Sequence, residues 1–259
     1  MLDLLVIGAG KMGGALAAGF ADAAPESFQL GVYSRQRDSV DRVVATNPRV
    51  VACDRLEQAR NYLVAVKPHQ ISAVIGALPP GGVISIAAGI TLDQLSAWIS
   101  GERQIVRAMP NTPVSVKAGV CALAAGADSA DLLSEAKAMF AWVGRAYEVE
   151  EGMFNAVSAI SGSGPAYLFM VMEAMQEAGI ARGIPASLAL ELARETVIGA
   201  GVLARESGSD PRTLRLAVTS PGGMTAAALA ELERSGLRSG FSQAIRAATE
   251  AASGLSNKA

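Results

Sequence analysis

The sequence predicts an α/β amino-terminal domain built on a mostly parallel sheet, followed by an all-α carboxyl-terminal domain. Three observations support this prediction. Strand-like apolar runs alternate with helical segments through the first 150 residues, the first of these runs ends in a glycine-rich turn that opens a helix, and no convincing strand follows Gly152. The two domains are therefore assigned to residues 1–150 and 151–259.

The first predicted element is the apolar run from Leu4 to Ile7, which leads into Gly8-Ala9-Gly10-Lys11-Met12-Gly13 and then into helix-forming residues. In this pattern the first glycine permits a tight turn, the second lets a pyrophosphate approach the backbone, and the third lets helix and strand pack closely. Amides at the helix start can then bind phosphate oxygens. A glycine-rich chain can match the pattern by chance, but its place between a buried strand and a helix favours a Rossmann-like dinucleotide site.

The second predicted strand, residues 30–33, ends in Ser34-Arg35-Gln36-Arg37. In NAD-specific sites an acidic residue usually stands at this strand end, whereas Ser34 and Arg35 would suit a 2′-phosphate. The sequence therefore favours NADP. The alternative is that Arg35 and Arg37 only cover a solvated strand end.

Further strand-like runs occupy residues 50–52, 62–66, 83–87, 105–109 and 119–124, and a helix at 128–142 and a strand at 145–149 complete this half. Three loops follow strands at the carboxyl edge of the sheet, where open α/β sheets bind ligands. They contain Ala65-Val66-Lys67-Pro68, Ala87-Ala88-Gly89, and Asn111 between two stiffening prolines. Each of them could instead be an ordinary rigid turn.

Composition excludes several classes of protein. The 259 residues include 22 basic and 24 acidic side chains, so there is no electrostatic footprint for nucleic acid. Apolar runs are shorter than the roughly 20 residues that a membrane span needs, and no signal peptide is indicated, so we expect a cytoplasmic protein. Cys53 and Cys121 are isolated, which predicts neither disulfides nor a metal site. The only histidine, His69, is expected at a helix start or on the surface.

The second half predicts five helices, at about residues 153–179, 185–206, 211–218, 225–235 and 241–253. Pro185 and Pro211 suit the first turn of a helix, and Asp210 is a candidate N-cap. A bundle this small, with so many apolar faces, would leave apolar surface uncovered in a monomer. Homodimerisation through this half is therefore expected.

Two stretches of this half are unusual for plain helices. Residues 161–167, Ser-Gly-Ser-Gly-Pro-Ala-Tyr, interrupt a helical pattern with glycines and a proline. They indicate either a kink where another helix crosses, or a floor of small residues under a nicotinamide or substrate. The stretch from Thr219 to Thr225 predicts a turn whose amides at Gly222, Gly223 and Met224 are free to bind one carboxylate. Thr225 either adds a hydroxyl to this site or serves only as the N-cap.

Five motifs together resemble one family in order and approximate spacing. They are Gly8-Ala9-Gly10-Lys11-Met12-Gly13, Ala65-Val66-Lys67-Pro68, Met109-Pro110-Asn111-Thr112-Pro113, Ser161-Gly162-Ser163-Gly164-Pro165-Ala166-Tyr167 and Ser220-Pro221-Gly222-Gly223-Met224-Thr225. On these residues the chain resembles the pyrroline-5-carboxylate reductases over essentially its whole length. The last motif is specific to that family, whereas many dehydrogenases share the first. The resemblance implies reduction of L-1-pyrroline-5-carboxylate to L-proline, the last step of proline synthesis, with NADPH preferred and NADH possible.

The resemblance also implies roles for individual residues. The expected cofactor-binding residues are Gly8, Ala9, Gly10, Lys11, Met12, Gly13, Ser34, Arg35, Ala65, Val66, Lys67, Pro68, Ala87, Ala88, Gly89 and Asn111. The expected substrate loop comprises Ser220, Gly222, Gly223, Met224 and Thr225, with Thr225 as the catalytic hydroxyl that binds the ring nitrogen. In the family this loop faces the cofactor domain across an interlocked homodimer, and larger assemblies of dimers occur. Met224 replaces a common threonine, and Asn155 stands where an acidic residue or histidine is common.

The expected chemistry agrees with what the central helical segment lacks. A dehydrogenase acting on an alcohol needs a base, usually Lys or His, and residues 152–184 contain neither. An imine can be protonated before it binds, so the enzyme needs only to orient it, which can contribute roughly 7–11 kcal/mol. Two alternatives stay open. One is a β-hydroxyacid dehydrogenase or another imine reductase of similar plan, and the other is a non-catalytic dinucleotide-binding protein.

Overall fold

The structure, a computed structural model, describes residues 1–99 and 101–256. The chain forms two compact units. The first contains Met1–Ser163 and the chain from Ala247 onward, and the second contains Gly164–Arg246. The first unit thus includes the helical turns that directly follow the predicted boundary at residue 150.

An eight-stranded, mostly parallel sheet forms the centre of the first unit, as the sequence predicts. The strands lie in the order β3-β2-β1-β4-β5-β6-β7-β8. Their bounds are β1 Leu2–Ile7, β2 Leu30–Tyr33, β3 Val50–Ala52, β4 Ala59–Val64, β5 Gly82–Ser85, β6 Ile105–Pro110, β7 Gly119–Ala125 and β8 Gly144–Glu148. Because β2 and β4 lie on opposite sides of β1, the chain reverses its direction of winding there, which is where such sheets bind ligands.

One pair of strands departs from parallel pairing. β7 runs antiparallel to β6, while β8 runs parallel to β7. Only residues 111–118 connect β6 to β7, and they include a short 3-10 helix at Thr112–Val116. A parallel return needs a crossover of about a dozen residues or more, so this connection forces the chain to turn back beside its own strand.

Helices cover both faces of the sheet. They are α1 Lys11–Ala23, α2 Arg37–Thr46, α3 Ile71–Gly76, α4 Leu92–Trp98, α5 Ala130–Ala141 and α6 Phe154–Ser161. Alternate residues of β1 face opposite cores, since Leu4 and Val6 pack in the cluster that contains Phe20 and Phe140, whereas Leu5 and Ile7 pack in the cluster that contains Tyr62. Burial on both faces explains why this strand is apolar throughout.

The carboxyl-terminal part of the chain is helical, as predicted, although some helix limits differ. The helices are α7 Gly164–Ala181, α8 Ala186–Ser207, α9 Pro211–Ala217, α10 Met224–Arg234 and α11 Leu237–Ser256. α7 packs against α8, where Ala189 and Ala193 are buried. Asp210 caps α9, since its carboxylate accepts hydrogen bonds from the amides of Arg212 and Thr213. The candidate N-cap is thus observed.

Two predicted helix limits are wrong. The helix predicted over residues 153–179 is two helices, α6 and α7. The Gly162 amide still makes a helical bond to the carbonyl of Ser158, but the amide of Ser163 donates to the same carbonyl, five residues back, and so leaves the α-helical pattern. The predicted break at residues 235–240 is confined to its start. Gly236 adopts a left-handed conformation with φ of +79°, and α11 begins at the next residue.

The second unit exposes much apolar surface. Leu168, Phe169 and Met170 on α7 are each at least half exposed, and α8 exposes Leu188 and Leu192. Apolar patches of this kind mark interaction surfaces. Across the described residues, no helix combines the length and apolar character that crossing a membrane requires.

Candidate active site

The glycine-rich turn brings β1 and the start of α1 to the carboxyl edge of the sheet. Gly8 adopts φ of +101°, and a β-carbon there would lie 2.7 Å from the carbonyl oxygen of Ala65. A β-carbon at Gly13 would overlap the carbonyl oxygen of Gly8 and lie 2.8 Å from the Ala65 Cβ. By contrast, no protein atom lies within 4 Å of a β-carbon placed at Gly10. The first and third glycines therefore serve packing, and the second leaves an open approach to the backbone.

The amino terminus of α1 carries no side-chain cap. Gly10 is its N-cap residue, and neither a hydroxyl nor a carboxylate accepts from the first-turn amides. The first turn also contains no acidic residue. Uncapped first-turn amides, together with the positive end of the helix dipole, attract an anion such as a phosphate.

A cleft of about 1260 Å³ lies over this turn and along the carboxyl ends of β1, β2, β4, β5 and β6. Most of the sequence-predicted cofactor residues line it. These are Gly8, Ala9, Gly10, Lys11, Met12, Gly13, Ser34, Arg35, Ala65, Val66, Lys67, Pro68, Ala87 and Ala88. Gly89 and Asn111 do not belong to the lining. Gly89 instead shapes the loop behind Ala88, with φ of +80°.

The cleft is cationic. Its lining includes Lys11, Arg35 and Lys67, and among the described residues that form it there is no Asp or Glu. Arg37 is committed elsewhere, because it pairs with Asp41 and Asp54, and the hydrogen bond with Asp41 is the main reason why its pKa is raised. Of the two arginines at this strand end, Arg35 is the one that lines the cleft.

Asn111 is buried and bonded internally. Its Nδ2 donates to the carbonyl oxygen of Ser161 at 2.9 Å, and its Oδ1 accepts from the amide of Val120 at 2.8 Å. The side chain thus bridges the end of α6 and the start of β7. These bonds leave one Nδ2 hydrogen and one Oδ1 lone pair unused, but the side chain is buried and does not line the cleft.

Several residues of the cleft were absent from the sequence prediction. They are Tyr33, Gln36, Ser39, Leu56, His69, Gln70, Ile86 and Met109, together with others on the same strand ends and loops. Tyr33, Ile86 and Met109 lie at or next to the carboxyl end of a parallel strand, so the rule that ligands bind at carboxyl strand ends would have found them. The other five named residues lie further along the loops and helices that follow the strands. His69 is exposed in a short 3-10 helix at Pro68–Gln70, as expected for a helix-start or surface residue.

The predicted substrate loop lies in the second unit and forms a tight turn before α10. Gly222 has φ of +70°, and the amide of Gly223 donates to the carbonyl oxygen of Ser220 at 3.1 Å. Proline followed by a glycine with positive φ is typical of a type II turn. A β-carbon at Gly223 would collide with the hydroxyl of Ser220, so a side chain there would require Ser220 to change its rotamer.

This geometry corrects two details of the prediction. The amide of Gly223 is not free, because it closes the turn. The N-cap of α10 is Gly223 and not Thr225, which lies in the first helical turn. Thr225 is partly buried, Met224 is 91% exposed, and no side chain caps this helix. The amides of Met224 and Thr225 therefore remain available, and the Thr225 hydroxyl is not used for capping.

Comparison with known proteins identifies the family. The family model for pyrroline-5-carboxylate reductase dimerisation matches residues 151–255, and a model for NADP oxidoreductase, coenzyme F420-dependent, matches residues 3–89. A pyrroline-5-carboxylate reductase of Synechocystis is 37% identical over 99% of this chain and 99% of its own length. The chain belongs to the pyrroline-5-carboxylate reductase family.

Solved structures of the pyrroline-5-carboxylate reductase family share the whole architecture. The enzyme from Coxiella burnetii is 34% identical, superposes with a TM-score of 0.91, and the match covers 98% of each chain. The enzyme from Plasmodium falciparum, solved with NADP bound, is 26% identical with a TM-score of 0.85, and the match again covers 98% of each chain. Both the sheet and the helical half of this chain therefore follow the family fold, and the fold predicted from sequence is confirmed.

Proposed function

We propose that this protein is a pyrroline-5-carboxylate reductase that transfers a hydride from NADPH to the C=N carbon of L-1-pyrroline-5-carboxylate, giving L-proline. One observation carries the proposal beyond family membership. The cleft at the switch point of the sheet combines an uncapped helix amino terminus with three cationic side chains and, in its described lining, no carboxylate. Such a site suits a ligand with several phosphates.

The residues present fit NADPH better than NADH. Arg35 and Ser34 lie at the end of β2, where the adenosine ribose binds in folds of this type. The described lining of the cleft offers no acidic side chain to hold a free 2′-hydroxyl. A guanidinium binds phosphate with charge-assisted hydrogen bonds. We therefore assign Arg35 to the 2′-phosphate and the α1 amides to the pyrophosphate, while NADH remains a weaker alternative.

The opposite end of the cleft would hold the nicotinamide. This end is formed by Ala87, Ala88, Met109 and Pro110 at the carboxyl ends of β5 and β6. When bound, the reduced nicotinamide supplies the hydride. The protein residues here are small or apolar, so their task is to position the ring and to exclude water rather than to exchange protons.

The loop of Ser220, Gly222, Gly223, Met224 and Thr225 is proposed to hold the substrate. The amides of Met224 and Thr225 at the start of α10 would bind the carboxylate, and Thr225 Oγ1 would accept a hydrogen bond from the protonated ring nitrogen. The iminium already carries its proton, and the hydride adds two electrons at the adjacent carbon. The product is a secondary amine, so no basic side chain is required.

This assignment includes an assembly. We propose domains at residues 1–150 and 151–259, and a homodimer or larger homo-oligomer formed through the second domain, whose helices expose Leu168, Phe169 and Leu192. In such an assembly the substrate loop of one subunit would complete the cleft of another. The working location is proposed to be the cytoplasm.

Steady-state kinetics with the pyrroline acid and each cofactor test the proposal. Oxidation of NADPH should depend on L-1-pyrroline-5-carboxylate and yield proline, with a higher kcat/KM for NADPH than for NADH. Arg35→Ala should lower kcat/KM for NADPH by about 10- to 150-fold, because a hydrogen bond to a charged group contributes about 1.5–3 kcal/mol. The same change should leave kcat/KM for NADH almost unchanged.

A matched control removes another exposed positive charge elsewhere. Arg145 lies on the edge strand β8 and outside the cleft lining, so Arg145→Ala should change kcat/KM neither for NADPH nor for NADH. Binding of NADPH without any imine-dependent turnover would refute the enzymatic proposal and favour a sensor. Turnover of other cyclic imines in preference to the pyrroline acid would point to a different imine reductase.

A further inference from the structure

Two residues of the β6 segment, Arg107 on the strand and Asn111 just after it, bond to the chain at the two ends of helix α6. Residues 107, 109 and 111 alternate with their neighbours and so project towards the same face of the sheet. α6 packs on this face, where Phe154 is buried with Ala122 and Ala124 of β7. Arg107 holds the segment at the start of α6, Asn111 holds its end, and Met109 lies between them.

The contact at the start of α6 is an ion pair between a buried arginine and a partly exposed glutamate. Arg107 is 3% exposed, and its Nη1 donates to Glu151 Oε1 at 3.0 Å. The guanidinium carbon lies 4.2 Å from the centre of the Phe154 ring. Burial lowers the pKa of Arg107, while the ion pair with Glu151 acts in the opposite direction. An ion pair in such surroundings is weak grounds for stability, so its role is better sought in fixing one arrangement.

Glu151 also connects a loop of the cleft to the cluster formed by Arg107, Glu151 and Phe154. The same Oε1 accepts from the amide of Leu92 at 2.7 Å, at the first residue of α4. The segment directly before α4 contains Ala87 and Ala88, which line the cleft. A displacement of Glu151 would therefore release the loop on one side of the proposed nicotinamide end.

The contact at the end of α6 supports the other side of the proposed nicotinamide end of the cleft. Asn111 donates to the last carbonyl of the helix, that of Ser161, and accepts from Val120 on β7. Gly162 packs close to Met109, whose terminal methyl would lie 3.6 Å from a β-carbon on Gly162. Met109 itself lines the cleft. The end of α6 therefore buttresses the cleft wall from behind.

We propose that Arg107 and Asn111 are positioning residues that hold the cleft wall of Ala87, Ala88, Met109 and Pro110 against the nicotinamide without touching the cofactor themselves. The inference rests on the proposed function, because it assumes that the nicotinamide lies at this end. It assigns Asn111 an action through α6 in place of direct cofactor binding. The glycine turn and Arg35, at the other end of the cleft, stay outside this cluster.

The decisive measurement separates cofactor affinity from turnover. For Asn111→Ala, we expect the Kd for NADPH, from a fluorescence titration without substrate, to stay within about two-fold, since the phosphates supply most of the affinity. At saturating substrates kcat should fall by about 10-fold or more, because small errors of orientation are costly. Asn111→Asp should behave like Asn111→Ala, since a carboxylate cannot donate to Ser161.

The Arg107 variants supply a graded comparison. Arg107→Met should reduce kcat by about as much as Asn111→Ala, and Arg107→Lys should recover part of the loss because it restores a positive charge near Glu151. Glu151→Gln is a milder change for the case in which Arg107→Met fails to fold. It retains an acceptor for Leu92 and should lower kcat less than Arg107→Met.

Asn61→Ala is the matched control. Asn61 is also a buried asparagine of the sheet, on β4, and its Nδ2 donates to Glu135 at 2.7 Å outside the cleft. This variant should lower Tm as Asn111→Ala does, yet retain wild-type kcat. If Asn111→Ala lowered Tm but left kcat unchanged, the role of Asn111 would be purely structural and the proposal would fail. A rise of 10-fold or more in Kd at unchanged kcat would also overturn it, since Asn111 would then act as a direct ligand.

Hydrogen–deuterium exchange of the cofactor-free protein gives a readout that does not depend on the reaction. In Asn111→Ala and Arg107→Met, amides of residues 86–92 and 154–161 should exchange faster than in Asn61→Ala, while those of residues 8–14 should be unchanged. Equal exchange in all three variants would refute the coupling. A wild-type enzyme that lacks imine-dependent turnover would refute the proposed function and leave this exchange result intact, so the two failures are distinguishable.

Discussion

Two alanine substitutions in the glycine turn should have opposite effects on stability and cofactor binding. At Gly13 a β-carbon would overlap the backbone oxygen of Gly8, and neither backbone can move without separating α1 from β1. Overpacking of this kind costs about 1–3 kcal/mol, which corresponds to a fall in Tm of roughly 2–12 °C. Gly13→Ala should therefore be less stable than the wild type.

At Gly10 the same change should leave folding almost intact. The residue has φ of −69° and ψ of −171°, which alanine adopts freely, and a β-carbon there would meet no protein atom within 4 Å. That carbon would instead occupy space through which a pyrophosphate approaches the α1 amides. A hydrogen bond to a charged phosphate oxygen contributes about 1.5–3 kcal/mol to binding, so its loss should raise the Kd for NADPH by about 10- to 150-fold.

Thermal unfolding without cofactor and a titration with NADPH measure the two effects independently. The expected pattern is a lowered Tm for Gly13→Ala and an almost unchanged Tm with weak binding for Gly10→Ala. If Gly10→Ala bound NADPH with wild-type affinity, the pyrophosphate would not lie on this turn. The assignment of the whole cleft would then have to be abandoned.

Three further predictions concern the carboxyl-terminal half. Thr225→Ala should lower kcat/KM for the pyrroline acid by about 10- to 100-fold. Thr225→Ser keeps the hydroxyl and should retain most of the wild-type kcat/KM, and equal kinetics of the two variants would exclude the hydroxyl role. Phe169→Asp should shift the protein from oligomer to monomer in sedimentation velocity, because Phe169 is an aromatic residue on α7 that is 56% exposed. An unchanged sedimentation coefficient would show that this residue is not part of the interface. Asp210→Ala should destabilise the fold at neutral pH. Hydrogen bonds from Thr213 lower the pKa of Asp210, so its stabilising contribution is present above the ordinary pKa of about 3.9, and it is lost as the pH falls through the lowered value. The difference in Tm between this variant and the wild type should therefore vanish in strong acid, and a difference that persisted there would show that the charge of the cap is irrelevant.

Local patterns predicted the elements of the fold well where backbone conformation and burial coincide. Gly8 adopts a positive φ, which favours glycine, and β1 is buried on both faces, which requires a continuous apolar run. Both features can therefore be predicted from the local sequence. The N-cap at Asp210 is equally local, since the side chain bonds amides two and three residues away. The direction of β7 was also accessible in principle, through the shortness of its connection to β6.

Partners distant in sequence could not be read in the same way. Asn111 looked like a ligand because it stands between two prolines at a strand end, yet it bonds Ser161 and Val120. Nothing in the local sequence tells an asparagine that faces a cleft from one that caps a helix 50 residues later. The ion pair of Arg107 with Glu151 could not be predicted for the same reason. The bond by which the Gly223 amide closes its turn is local, in contrast, and Pro221-Gly222, a pair typical of a type II turn, could have indicated it.

The sequence by itself determined the fold class, the glycine-rich turn, the family and about half of the residues that line the cleft, because each depends on backbone geometry or on short motifs. Only the tertiary structure decided which polar groups are free to meet a ligand. A side chain's availability depends on every hydrogen bond that the folded chain offers it, and those partners are assembled by packing rather than by proximity along the chain.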